Sequence, residues 1–243
     1  MPDLSPTPAG RRPIEVGRVI REALSIYSEN VNALLGSALL IVVVPSLIQT
    51  ILVGQGPVLE FIGTLIALTA AVLYTGFVVK LVEDVRDGRR DSTAQELISS
   101  ATPFIVPLIA NGFLRLLGIA LGLVLFIVPG LYLLAIWAVC SPAIVAEEKG
   151  VIDAFRRSKD LVEGQKMAVF LTIVATALAL IVVGAIVLGI GVAVAGTAGY
   201  VFVGMIFSAV TAPVFGLVTA VIFFDLGGGT AAPAADGQVV VEY

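Results

Sequence analysis

The sequence predicts an all-α integral membrane protein with six transmembrane helices in three hairpins, each hairpin preceded by a cytoplasmic amphipathic surface helix. Three observations predict it. Hydrophobic residues make up 58% of the 243 and charged ones 13%, against roughly 25% charged in an ordinary soluble domain. The apolar residues come in runs of about 20 or more, long enough to cross a hydrocarbon core roughly 30 Å thick. Of the 14 Lys and Arg residues, all but Arg115 fall in alternate connections between those runs.

The elements follow in order. Residues 1–12 are polar and rich in proline, lack the apolar core of a signal peptide, and read as a disordered cytoplasmic tail. The membrane domain is expected over 13–226. Pro13 opens a helix with Val16, Val19, Ile20, Ala23, Leu24 and Tyr27 on one face and Glu15, Arg18, Arg21, Glu22 and Ser25 on the other. That pattern predicts a helix lying along the membrane surface. Spans at 31–53 and 59–81 are joined by a Gly54-Gln55-Gly56-Pro57 turn, with Pro45 tolerated because neighbouring helices can satisfy the freed carbonyl.

Asp87-Gly88 then marks a turn, and Thr93-x-x-Glu96 matches a capping box opening a short helix with Ala94, Leu97, Ile98 and Ala101 on its apolar face. Asp84, Asp87 and Asp91 lack the alternating ligand pattern of a calcium loop and read as a solvated loop. The third and fourth spans are expected at 103–127 and 131–145, joined by Pro129-Gly130 as an outer turn. The clearest amphipathic helix follows, with Val151, Ile152, Ala154, Phe155, Leu161 and Val162 opposite Asp153, Arg156, Arg157, Lys159 and Asp160. The last spans are expected at 167–193 and 200–224, and residues 227–243 are flexible by composition.

Charge sets the orientation. Arg11, Arg12, Arg18 and Arg21 precede the first span; Lys80, Arg86, Arg89 and Arg90 follow the second; Lys149, Arg156, Arg157, Lys159 and Lys166 follow the fourth. The other turns hold no base, so the positive-inside rule puts both termini in the cytoplasm and the protein in the cell's inner membrane as a multi-pass chain. The basic helices either retain these loops or form a platform for anionic membrane lipids or for a membrane or cytoplasmic protein partner. No basic domain with interleaved aromatics is present, which argues against a nucleic-acid partner.

Chemistry is sparsely provided for. Histidine is absent, which removes the commonest general base and metal ligand, and the lone Cys140 lies in an apolar run. There is no phosphate-binding GK[ST] loop and no GxSxG. Glu147 and Glu148 are adjacent and cannot converge on one helix face, so a helix-end role beside Arg157 is the expected use of Glu147. The sequence predicts no catalytic residue, no cofactor and no metal, and favours a non-enzymatic module that organises lipid or a membrane partner.

The exception is Arg115. It is expected near the middle of the third span, where an arginine costs roughly 2.5 kcal/mol or more and must face the bundle or water. Asn111 stands one turn before it, and no acid lies at matching depth. Either the pair is a polar clamp or Arg115 a snorkelling side chain, with backbone carbonyls, Tyr74, Thr75 or water as partner, or it is an intramembrane site for an anion or lipid phosphate. The second reading admits a transporter or lipid-handling protein. Gly118-x-x-x-Gly122 and the small residues around Gly184, Gly189 and Gly191 read as close helix packing.

Several of these residues also compose a pattern. Pro129-Gly130, Trp137, Pro142, Glu147, Ala154, Arg157-Ser158, Leu161 and Gly164, with Phe223-Phe224-Asp225-Leu226 near the end and Gly17-x-x-Ile20-x-Glu22-Ala23 and Tyr27 near the start, stand in that order. The pattern resembles the membrane domain that accompanies some bacterial glycerophosphoryl diester phosphodiesterases, and its stand-alone relatives, over residues 14–226. The resemblance implies about six helices and no activity of the membrane domain's own. The phosphodiesterase activity of such proteins belongs to a separate domain using histidines and a metal, and this chain has no histidine. Gly227 departs from the pattern, standing where a basic residue is expected.

Overall fold

In lipid every backbone N–H and C=O must be satisfied within the segment, so apolar runs of this length become helices. The computed structural model describes residues 12–87 and 94–229, and these are helices and short connections. The order is α1 (Val16–Glu29), α2 (Val31–Leu52), α3 (Pro57–Arg86), α4 (Ala94–Ala101), α5 (Ile105–Leu125), α6 (Ile127–Ile136), α7 (Cys140–Ala146), α8 (Val151–Val162), α9 (Lys166–Gly196) and α10 (Gly199–Asp225). Among the described residues six helices or helix pairs are long and apolar enough to cross a membrane, and they form three hairpins, α2–α3, α5–α6/α7 and α9–α10. The protein is an all-α integral membrane protein.

Local chemistry accounts for the irregularities. Pro45 cannot donate an N–H, and α2 widens to a π-helical turn over Leu39–Val43 just before it. The Ser46 hydroxyl donates to the Val42 carbonyl at 2.7 Å. Between α9 and α10 the chain reverses at Ala195–Gly196, where Gly196 takes φ +57°, a left-handed value that suits glycine. The hairpin then closes tightly: a Cβ on Gly191 would stand 2.9 Å from the Gly199 carbonyl.

The Pro129-Gly130 turn needs correcting. The break is at Phe126, whose backbone is extended, and Pro129 and Gly130 belong to the first turns of α6. Proline fits there because a first-turn N–H has no intrahelical partner. Gly130 serves a crossing instead, since a Cβ on it would meet Leu123 at 2.4 Å. The fourth expected span is not one helix either. It breaks over 137–139, and Pro142 removes the N–H that would close the next turn onto Ala138. Ser158 of α8 repairs the break, its hydroxyl donating to Ile136 O at 2.8 Å and accepting from Val139 N at 3.3 Å.

The tertiary core sits at one end. Among the largest fully buried side chains are Phe77, Val78 and Val82 of α3, Ile144 of α7, Leu161 of α8, Leu217 and Phe223 of α10, and Val19 of α1. All lie at the end that carries most of the charged residues, the basic end. Towards the far end Phe61, Leu65, Ile186, Ile190, Phe202 and Ile206 are exposed, as lipid-facing surface would be.

The amphipathic helices belong to this core. Val19, Ala23 and Ile26 of α1 are buried, and α1 lies against α9 and α10. Tyr27 donates to Val210 O at 3.1 Å, and burial raises its phenol pKa. Ala154, Ser158, Leu161 and Val162 of α8 are likewise buried. The expected tails lie outside the described residues apart from Arg12 and Gly227–Gly229, as do Asp91 and the capping residue Thr93.

Candidate functional site

Polar residues gather in three places. At the basic end, Asp225 closes α10 with a fully buried carboxylate. Arg18 Nη1 donates to its Oδ2 at 2.9 Å and Arg86 Nη2 to its Oδ1 at 3.1 Å. Glu22 completes the square, 3.3 Å from Arg18 and 2.5 Å from Arg86. Two cations and two anions neutralise one another across α1, α3 and α10. The backbone joins in: Arg12 N–H donates to Asp225 O at 2.7 Å, and the Gln165 carboxamide accepts from Ile14 N at 2.5 Å and donates to Arg12 O at 3.2 Å. Arg86 Nε is buried without a hydrogen-bond partner. With its charges matched two against two across three helices, this knot reads as a clasp.

The second place is the turn before α8. Arg157 grips Glu147 in bidentate fashion, Nε to Oε2 at 2.8 Å and Nη2 to Oε1 at 2.7 Å, and Gly229 N–H adds a bond at 3.1 Å. Glu148 does not converge with Glu147; it occupies the turn with φ +52°. Gly164, with φ +87°, ends α8 and lets the chain turn into α9. Glu147, Arg157, Ser158 and Gly164 thus hold α8 in place.

The third place is Arg115, which is different in kind. Its guanidinium is half-buried, and among the described residues it has no acidic partner and no hydrogen bond. It borders two adjoining cavities. One, of about 180 Å³, is lined by Thr75, Gly112, Ser141, Gly216 and Thr219 among others, bringing α3, α5, α7 and α10 together. The other, of about 400 Å³, is apolar and is lined by Leu116, Ile119, Leu134, Trp137, Ile173 and Phe215. Arginine beside a polar recess and an apolar slot is suited to a molecule with an anionic head and an apolar tail.

Two expectations change here. Asn111 does not join Arg115 at the cavities; it is buried, its amide reaches Val151 O at 3.5 Å, and its Oδ1 is without a partner. Arg115 shares its cavities with Thr75, Ile173 and Phe215, which stand about 10 to 17 Å along α3, α9 and α10 from their basic ends at 1.5 Å per residue. Tyr74, an expected partner, gives its hydroxyl to Leu34 O at 3.0 Å instead.

The sequence contained Arg18, Glu22, Arg86 and Asp225 without any sign that they meet, because their separations of 207 and 139 residues exceed any local spacing rule.

No protein-family model matches the chain, and no solved structure matches it. A UPF0259 membrane protein of Pectobacterium carotovorum subsp. carotovorum (strain PC1) is 42% identical over 107 residues, covering 44% of this chain and 42% of the relative. The chain thus spans less than half the length of the relative it matches. The likeness agrees with the six apolar helices in making this a multi-pass membrane protein.

Proposed function

We propose that the protein is a non-enzymatic module of the cell membrane that holds an anionic lipid, its phosphate on Arg115 and its acyl chain in the apolar cavity. One observation supports this above all: a guanidinium without an acid or hydrogen-bond partner among the described residues, bordering both a hydroxyl-lined recess and an apolar slot. An arginine in such a place needs an anion or water. The positive-inside rule puts the basic end, and with it both termini, on the cytoplasmic side, where anionic lipids are abundant. The resemblance to the phosphodiesterase-associated membrane domain is compatible with this reading and lends it no activity.

The test uses the chain's single tryptophan, Trp137, which lines the apolar cavity. Delipidated protein is titrated with a brominated anionic phospholipid and the fluorescence followed. Saturable quenching is expected. Arg115→Leu should weaken it about 10- to 100-fold, the loss of one charge-assisted bond of about 1.5–3 kcal/mol, with Arg115→Lys intermediate. Protection by inorganic phosphate at millimolar concentration would identify a free anion as the ligand. Equal quenching of wild type and Arg115→Leu would refute the assignment.

A further inference from the structure

The three hairpins do not reach equally deep. At the basic end Gln165 is tied through Arg12 to Asp225, so Lys166, the next residue, starts α9 at the level of the charged knot. From there α9 runs 31 residues to the far turn at Gly196, about 45 Å. The middle hairpin returns to the same place. Lys166 Nζ lies 3.4 Å from the Tyr132 hydroxyl and 5.4 Å from its ring centre. Val128, Leu131 and Ala135 share a cavity wall with Met167 and Phe170, within the first turns of α9.

Chain geometry converts this contact into a depth. Lysine and tyrosine side chains each extend roughly 6–7 Å from Cα by ordinary bond lengths, so Tyr132 Cα is at most about 16 Å from Lys166 Cα. Phe126, at the tip, is six residues further, about 9 Å. The tip therefore lies within about 25 Å of the basic end and stops about 20 Å short of the far turns.

The other arm agrees. Ala101 and Leu108 meet Gly76, already about 15 Å deep by its distance from Arg86. Were α5, with its 21 residues, to stand upright from there, it would carry the tip about 40–45 Å deep. Its partner α6 lies beside Met167 instead, so α5 must run sideways. Leu121, Val124, Phe126 and Val128, around the tip, are 61%, 84%, 72% and 76% exposed, and the α5–α6 segment between Arg115 and Lys149 contains no charge until Glu147.

We propose that the α5–α6 hairpin is a re-entrant wing: it enters the bilayer from the basic side, lies in the leaflet on that side and returns, its exposed apolar surface covered by the acyl chains of that one leaflet. The α2–α3 and α9–α10 hairpins cross the whole bilayer. Orientation is unaffected, since a hairpin that turns early and one that crosses twice both return the chain to the side it left.

Single cysteines in full-length protein with Cys140→Ala test the wing. Gln55→Cys marks the far turn and Arg21→Cys the basic side. Labelling with a membrane-impermeant maleimide is followed from each face of sealed vesicles, with Phe126→Cys and, as a second tip position, Val124→Cys. The tip variants are expected to stay unlabelled from the face that labels Gln55→Cys. A bimane on either should be quenched more by lipids doxyl-labelled in the leaflet on the Arg21 side than in the opposite leaflet. Labelling of the tip from the far face within a few-fold of the Gln55→Cys rate would overturn the proposal. So would labelling from the basic face without lipid quenching, which would put the hairpin in water.

Discussion

Asp225 accepts hydrogen bonds from two arginines while none of its side chain is exposed, so removing its charge leaves Arg18 and Arg86 facing each other with only Glu22 between them. Breaking a buried pair from one side typically costs about 3–5 kcal/mol. The arginines keep roughly a quarter of their surface, which lowers the expected cost of Asp225→Asn to about 2–4 kcal/mol. Thermal unfolding in detergent should show it as a clear fall in midpoint. Glu22→Gln should cost less, because Glu22 is 28% exposed and solvent can replace the lost charge. The sequence exposed Asp225 only as part of an aromatic-aromatic-Asp-Leu pattern. That an acid ends a span was readable; that two distant arginines grip it was not, since nothing in local spacing reports a contact between α1, α3 and α10. Arg115 is the reverse case. Its isolation from acids was readable from the absence of Asp and Glu at its depth, and the cavities around it required the fold.

Amphipathic periodicity says that one face of a helix avoids water, and does not say whether lipid or protein covers it. That is why α1 and α8 read as surface helices while part of each apolar face meets the bundle, Leu24 and Ile152 staying exposed. For α8 the covering has a specific fastener in Ser158, which satisfies both orphaned groups where α6 breaks from α7. Ser158→Ala leaves Ile136 O and Val139 N buried without a partner, an expected loss of about 1–3 kcal/mol, readable as a lowered unfolding midpoint. Packing between α5 and α6 is set by glycines. A Cβ on Gly118 would stand 2.5 Å from the Trp137 ring, so Gly118→Ala should displace that ring and change Trp137 emission, at a cost of about 1–3 kcal/mol. The GxxxG spacing announced a close approach there, though not which helix it met. Pro129-Gly130 misled for a definable reason: the pair suits a turn, and proline suits the opening of a helix equally well.

At the scale of the whole molecule, the sequence carried the number of apolar runs, the alternation of charge and hence the side to which each connection belongs. It did not carry depth. Charge alternation counts returns of the chain, so a wing within one leaflet and a complete hairpin leave the same record. The core at the basic end, the neutral knot that fastens α1 to α3 and α10, the sideways α5–α6 hairpin and the free guanidinium at its root together describe a protein built around one leaflet. Its far half is two slender hairpins exposed to lipid, and its near half is folded tightly around a cavity. The central claim is that Arg115 retains an anionic lipid, and native mass spectrometry of protein extracted gently from its own membrane tests it most directly. One phospholipid of anionic class should remain on the wild-type chain through collisional activation that strips the others, and be lost from Arg115→Leu under the same conditions. Equal retention by the variant, or a wild-type chain that emerges bare or with zwitterionic lipid in proportion to the membrane, would contradict it.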